Sequence, residues 1–175
     1  TVNLLTKHKN VNLFSISDNY VAASYGMRWI NHLADQIATK NWRIVADADE
    51  FLVYPYCEEL KLPKLMDYLE KHNFEVVRGF MLDMNPKNFK ELAEYQPGDN
   101  PLNSSGYFDK THRRVYIPEC PYQTLVGGSR HRLIFGNTFY NRQPLCKTTI
   151  VKGGVGIYHT LANHNTTPAK VADLS

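Results

Sequence analysis

The chain has 175 residues, of which 43% are hydrophobic and 21% are charged, a composition typical of a globular protein with one core. A net charge of +3 does not indicate a nucleic-acid-binding protein, and no apolar run approaches the roughly 20 residues that span a bilayer. Its three cysteines are widely spaced, which predicts free thiols in a reducing cytoplasm rather than a zinc site or a disulfide set.

The N-terminal part of the chain predicts a short strand followed by a long helix. Residues 1–10 predict the end of a helix and a turn, and the β-rich run Val11–Ser15 predicts a strand. Ser17–Asn19 then supplies helix-start chemistry. An apolar residue recurs at every fourth position over residues 20–40, which predicts an amphipathic helix with one buried stripe. The stripe consists of Val21, Tyr25, Trp29, Leu33 and Ile37.

Three further segments extend an alternating pattern. The mostly apolar run Arg43–Ala46 predicts a buried strand. Lys61–Asn73 has Pro63 near its start and apolar residues in helical spacing, so it predicts a second helix. The β-rich segment Phe74–Met84 predicts another central strand. The order strand, helix, strand, helix, strand predicts an α/β fold with a mostly parallel sheet flanked by helices.

The stretch Trp42–Pro55, reading WRIVADADEFLVYP, places three acids between two apolar runs. Side chains alternate along a strand, so Asp47 and Asp49 are expected to share a face, while Glu50 points the other way. Two carboxylates on one face repel each other unless a cation lies between them, and Mg²⁺ and Mn²⁺ prefer oxygen ligands. A bare Asp-x-Asp is more often a turn or a helix cap, but acids between apolar runs favour a metal–diphosphate site.

The segment from about residue 85 to about residue 125 has a different character. Five prolines between Asn85 and Pro121, mixed with Asn, Asp and Gly, predict a long irregular excursion with short helical and strand pieces. Excursions of this length are usually functional, which suggests acceptor recognition. After it, Thr148–Val151 predicts a last strand, and a glycine-rich segment ends at His159.

Two glycines and two arginines follow the excursion closely. Arg130 and Arg132 alternate with His131 on a predicted strand, so their guanidinium groups are expected to share the face that carries Asp47 and Asp49. Two guanidiniums on one face suit a diphosphate or a carboxylate. The alternative is a charged strand that protects the edge of a sheet.

The block Trp42–Pro55 resembles the D-x-D block of bacterial family 2-like glycosyltransferases with the GT-A fold, in the branch whose block reads roughly W-x-x-x-x-D-A-D-E-F-L-V-Y-P. Other segments are similar to landmarks of the same branch: Tyr25–Asn31, Met81–Met84, Tyr107–Asp109 and Gly127–Arg132. The resemblance implies one partial GT-A-like α/β domain over residues 1–175, which lacks the family's first β-α unit, where the nucleotide base binds.

This resemblance also implies a reaction. It implies transfer of a sugar from a nucleotide-diphosphate donor to a hydroxyl group of a glycan or glycolipid acceptor, with Mn²⁺ or Mg²⁺, in bacterial cell-surface polysaccharide synthesis. Such a protein is expected in the cytoplasm, where it can associate with the inner face of the membrane. The donor sugar and the choice between inversion and retention stay open.

Individual residues acquire expected roles from the resemblance. Asp49 is the direct metal ligand, whereas Asp47 contacts the donor's ribose or a metal-bound water. His159 completes the metal shell, a role for which His164 competes. The residues expected to bind the donor are Asp47, Glu50, Arg130 and Arg132.

The catalytic base has several candidates. An inverting enzyme needs a carboxylate that takes the acceptor proton. Asp83, at the end of its predicted strand, and Asp109, in Tyr-Phe-Asp, are the two main candidates, and Glu119 is the third. The sequence does not choose between them.

Two other classes of protein remain as alternatives. A haloacid-dehalogenase-like phosphatase also has an apolar strand followed by Asp-x-Asp, but it normally carries Thr or Val where this chain has Phe51. A GT-A-like domain can also bind a nucleotide sugar without turnover, although the intact Asp47 and Asp49 disfavour that interpretation.

Overall fold

The computed structural model describes residues 2–88, 90, 95–96, 98–115, 124–135, 144–160, 165–167 and 169–173. The helices are α1 (Val2–Leu5), α2 (Met27–Ile37) and α3 (Leu62–Lys71), with helical turns at Pro101–Ser104 and Gly128–Arg130 and a π-helical turn at His131–Phe135. The strands are β1 (Trp42–Ile44), β2 (Val76–Phe80), β3 (Met84–Asn85), β4 (Tyr107–Phe108), β5 (His112–Val115), β6 (Thr124–Gly127), β7 (Cys146–Lys152), β8 (His159–Thr160), β9 (Asn165–Thr166) and β10 (Val171–Asp173).

Four of these strands form one mixed sheet with the order β1-β7-β2-β10. Strand β7 is antiparallel to both β1 and β2, and only β2 and β10 are parallel. The fold therefore combines helices with a mixed sheet, and the expected mostly parallel sheet was wrong because β7 inserts between two strands that run in the same direction. The predicted strands at Phe74–Met84 and Thr148–Val151 correspond to β2 and β7.

The core lies on both faces of this sheet. On one face, Leu69 of α3 packs against Val77 and Ile150, all at most 1% exposed. On the other face, Val76 and Val151 pack with Ile157. Neighbouring residues on a strand point to opposite faces, so the apolar runs of β2 and β7 supply both cores. Each fully buried side chain of this size contributes about 1.5–3 kcal/mol by leaving water.

Helix α3 begins and ends close to its predicted bounds. Lys61 is its N-cap in an extended conformation, and a proline occupies its first turn, where the missing N–H costs no hydrogen bond. The second helix predicted at Lys61–Asn73 is therefore confirmed. Its buried stripe centres on Leu69, as helical spacing requires.

The N-terminal helix prediction was only half right. Ser24, Tyr25 and Gly26 all have positive φ, between 53° and 83°, and three left-handed residues in a row interrupt a right-handed helix. Helix α2 therefore begins only at Met27, and Tyr25 of the predicted stripe is 56% exposed. The strand predicted at Val11–Ser15 was also wrong, because this segment has no regular structure.

Gly153, directly after β7, contacts the loop between α2 and β1. The amide of Gly153 donates a hydrogen bond of 3.0 Å to the carbonyl oxygen of Asn41. A Cβ atom on Gly153 would lie only 2.5 Å from that oxygen and closer still to the carbonyl oxygen of Ala38. The loop between α2 and β1 can therefore reach the end of β7 only because residue 153 has no side chain.

Two short antiparallel strand pairs follow β2 in the chain. Strand β3 pairs with β4, and β5 pairs with β6, in the described part of the predicted excursion. The amide of Leu145 donates to the carbonyl oxygen of Leu125 at 2.7 Å, and that of Met81 to the oxygen of Leu145 at 2.6 Å. These bonds attach the β5–β6 hairpin to the main sheet.

Candidate functional site

The three acids lie on a tight turn immediately beyond β1. Strand β1 ends at Ile44, and the amide of Glu50 donates to the carbonyl oxygen of Asp47 at 3.2 Å. We call residues 47–50 the acid turn. The expectation that strand alternation separates Glu50 from Asp47 was wrong, because the strand ends before the first acid and the turn brings these two side chains to the same side.

Lys147, on β7, joins the two ends of the acid turn. Its Nζ lies 2.7 Å from Oδ2 of Asp47 and 2.5 Å from Oε2 of Glu50, and its side chain is only 3% exposed. Burial opposes the charge and is the largest single influence on the pKa of Lys147, but hydrogen bonds to both carboxylates outweigh it and raise that pKa. The ammonium is therefore charged and lies between Asp47 and Glu50, whereas sequence reasoning placed a cation between Asp47 and Asp49.

Sequence reasoning did not find Lys147. The available signal was a lysine in a central, otherwise buried strand, between Cys146 and Thr148. A lysine at such a position is rarely buried unless it is paired. Its partners lie about a hundred positions earlier in the chain, so the sequence does not reveal which acids they are.

Asp49 differs from its neighbours on the acid turn. Its side chain is exposed, and within the described ranges it has no hydrogen bond or ion pair. Both carboxylate oxygens of Asp49 are therefore available to a ligand, whereas one oxygen of Asp47 and one of Glu50 already contact Lys147. We therefore retain Asp49 as the predicted direct metal ligand.

His159 lies on β8 and is held by its main chain. Its amide donates to Oδ1 of Asn31, and its carbonyl accepts from Nδ2 of Asn31, both at 2.9 Å. The residue is 3% exposed, and neither ring nitrogen has a hydrogen-bond partner among the described residues. Burial, then the positive charges of Arg43 and Lys147, lower the pKa of His159 to about 4. The imidazole is therefore neutral at neutral pH, the form that binds metals.

Protein stability is expected to fall between about pH 7 and about pH 5, partly because of His159. The unfolded histidine has a pKa of about 6.5 and the folded one a pKa of about 4, so in this interval only the unfolded state gains the proton. The contribution of neutral His159 is complete above about pH 6.5 and is lost towards pH 4, with about 2 kcal/mol lost by pH 5.

Urea unfolding at the two pH values measures this loss. His159→Gln should remove that part of the pH dependence, whereas replacement of the exposed His32 by glutamine should retain it. Identical pH profiles for the His159 variant and the wild type would contradict the prediction.

A second group of polar residues surrounds Asp83, just beyond β2. A Cβ atom on Gly128, which has a φ of 73°, would lie 3.0 Å from Oδ2 of Asp83. Nδ2 of Asn85 donates to the carbonyl oxygen of Asp83 at 3.0 Å and to Oγ of Ser129 at 2.8 Å. Gly128, directly after β6, therefore allows the main chain to approach the carboxylate of Asp83 closely.

Asp109 and Arg132 form a bidentate ion pair. Nε and Nη2 of Arg132 donate to the two carboxylate oxygens of Asp109 at 2.9 and 3.1 Å. The hydrogen bonds to Asp109, then its charge, raise the pKa of Arg132. One of the arginines expected to bind the donor is thus paired with one of the expected bases.

The predicted strand through the arginines was wrong. Residues 128–135 are helical, so Arg130 and Arg132 do not alternate along a strand, and their expected common face does not exist. The side chain of Arg130 lies outside those that the structure describes, as do Glu119 and His164.

A divalent cation fits this site only in part. Within the described ranges, no three His, Cys, Asp or Glu side chains are grouped so that they could hold a metal ion. Mg²⁺ and Mn²⁺, however, often bind through one or two carboxylates together with phosphate oxygens. Among the described residues, the exposed carboxylate of Asp49 could supply one such ligand.

No protein-family model, curated protein or solved structure matches the chain. In the part of the chain that the structure describes, none of the helices combines the length and the apolar character needed to cross a membrane.

Proposed function

We propose that the chain carries the active site of a metal-dependent glycosyltransferase with a GT-A-like fold. The donor would be a nucleotide-diphosphate sugar, and the acceptor a hydroxyl group of a glycan or glycolipid. The proposal rests on one observation. Strands β1 and β2 run in the same direction, and both end in acids at the same edge of the sheet, Asp47 beyond the first and Asp83 beyond the second.

The spacing of these strands suits a two-substrate reaction. Strand β7 separates β1 from β2, so their ends are two strand spacings apart, or about 10 Å. That interval allows a diphosphate at the acid turn and an acceptor hydroxyl near Asp83 without direct repulsion between the two carboxylate groups. Ligand sites in open α/β sheets lie beyond the carboxyl ends of strands, which supports this placement.

Each residue receives a role from its surroundings. Asp49 would bind the metal, whose charge would stabilise the leaving diphosphate. Asp47 and Glu50, held by Lys147, would fix the shape of the acid turn. Asp83 would take the proton of the acceptor hydroxyl. The neutral imidazole of His159 would complete the metal site.

Bacterial cell-surface polysaccharide synthesis is the setting that this proposal favours. An enzyme with a nucleotide-sugar donor would work in the cytoplasm, and a glycolipid acceptor would bring it to the inner face of the membrane. The resemblance of the Trp42–Pro55 block to family 2-like glycosyltransferases supports this setting, and Cys57 and Cys146, which form no disulfide within the described residues, are compatible with it.

Donor binding tests the proposed site. UDP and GDP should raise the melting temperature of the full-length protein in the presence of Mn²⁺ but not with EDTA. Asp49→Asn should weaken Mn²⁺-dependent nucleotide binding by about tenfold or more, because the cation loses its only free carboxylate on the acid turn. Asp67→Asn is the matched control, since Asp67 is an exposed aspartate on α3 that pairs only with Lys64 among the described residues.

The outcomes separate the competing functions. Metal-dependent hydrolysis of a UDP- or GDP-sugar supports the transferase, and metal-dependent binding without any turnover indicates a binding domain. Inhibition by beryllium fluoride, with turnover of a phosphate ester, indicates the phosphatase. Unchanged nucleotide binding in Asp49→Asn would exclude the proposed metal site.

A further inference from the structure

The buried ammonium of Lys147 occupies the space between two of the three acids. We infer that Lys147 is an internal counter-ion that competes with the divalent cation for Asp47 and Glu50, so that the acid turn binds the cation tightly only together with the donor diphosphate. This inference rests on the proposed function, because it concerns the same site.

The fold keeps Lys147 in this position. Its main chain belongs to the central strand β7, where residue 147 pairs with Gly79 of β2. Its side chain is 3% exposed, so the ammonium lies within the protein rather than in solvent. An ammonium has three N–H donors, and the carboxylates of Asp47 and Glu50 accept two of them.

The net charge of the acid turn explains why tight binding of the cation requires the diphosphate. Asp47, Asp49 and Glu50 carry three negative charges, and Lys147 reduces the total to two. A cation that arrives alone finds one free carboxylate, that of Asp49, because the other two already have a counter-ion. A diphosphate supplies the missing oxygen ligands, but it is repelled by the turn unless the cation is present.

Cation and diphosphate therefore increase each other's affinity, and by thermodynamic linkage the two increases are equal. Lys147 strengthens this coupling by weakening the affinity for the cation alone. Its role is that of a positioning residue, since it acts through Asp47 and Glu50.

Cation binding to Lys147 variants tests the inference. Calorimetric titration with MnCl₂ alone should show affinity at least about tenfold higher in Lys147→Met than in the wild type, because the competing charge is gone. Added UDP or GDP should then increase the Mn²⁺ affinity less than it does in the wild type. Lys147→Arg keeps the charge and should stay close to the wild type.

Two further variants make the result specific. Lys152→Met is the matched control, since Lys152 lies on the same strand and pairs with Glu70 at 2.6 Å, away from the acid turn. If Lys147→Met does not fold, the double variant Lys147→Met/Glu50→Gln removes one of the unpaired charges. It should bind Mn²⁺ more tightly than Glu50→Gln alone.

Equal Mn²⁺ affinity in the wild type and in folded Lys147→Met would overturn the inference, as would equal affinity in the double variant and Glu50→Gln. The proposed function fails by a different result, namely when neither UDP nor GDP binds the wild type in the presence of Mn²⁺. Even if neither nucleotide binds, tighter binding of Mn²⁺ alone in Lys147→Met would support the role of Lys147 as a counter-ion.

Discussion

Replacement of Gly153 by alanine is expected to destabilise the protein by at least about 3 kcal/mol, close to the upper range for overpacking. The new methyl group would lie 2.5 Å from the carbonyl oxygen of Asn41 and closer still to that of Ala38. Both neighbours are main-chain atoms, so no side-chain rotation can relieve the clash. The loop between α2 and β1 must move, and it then loses the hydrogen bond from the Gly153 amide to Asn41.

Thermal unfolding measures this effect as a decrease of roughly 6–12 °C in melting temperature. Gly79→Ala is the control, because a Cβ atom on this β2 glycine would meet its nearest neighbours, Thr149 and Lys147, at ordinary distances of 3.7 and 3.9 Å. Equal melting temperatures for the two variants would show that the loop adjusts without cost.

Asp83→Asn is expected to lower kcat for sugar transfer by about 10³-fold, within the range for loss of a general base. An amide keeps the shape of the carboxylate but cannot take the acceptor proton. Nucleotide affinity should stay unchanged, because Asp83 lies beyond β2 and the acid turn beyond β1. Steady-state transfer kinetics and calorimetry with UDP or GDP on the same protein separate the two effects.

Asp109→Asn serves as the comparison for this prediction. The carboxylate of Asp109 is held by the guanidinium of Arg132 through two hydrogen bonds, so both of its oxygens already have a donor. Transfer should therefore change by only a few-fold. A large loss of kcat in Asp109→Asn, with normal transfer in Asp83→Asn, would exchange the roles of the two residues.

Local patterns predicted the parts of the fold that depend on local interactions. The proline at the start of α3 and its apolar spacing gave that helix nearly to the residue, and β-rich composition located β2 and β7. The order of the sheet was not accessible in this way, because Trp42 pairs with Lys152 and Val76 with Val151. Pairings at such separation leave no periodic signal in either segment.

The functional site also combines residues that are adjacent in sequence with residues that only the sheet brings together. Asp47, Asp49 and Glu50 are adjacent in sequence and were recognised together, whereas Lys147 approaches them only through the sheet. The arginines were misplaced for another reason. The order Arg130, His131, Arg132 in the sequence does not distinguish a strand from a helical turn. The helical turn depends on the positive φ values of Gly127 and Gly128, which the sequence spacing does not reveal.

The central position of β7 has a consequence for folding kinetics. Both of its neighbours in the sheet leave the ribosome well before it, and they cannot pair with each other because β7 separates them. Closing such long loops costs chain entropy before any stabilising contact between the strands can form, so topologies of this kind fold slowly. Strands β1 and β2 therefore remain unpaired with β7 during synthesis until residues 146–152 emerge. Lys147 arrives in that same step, so the acid turn stays without its counter-ion until the sheet has closed.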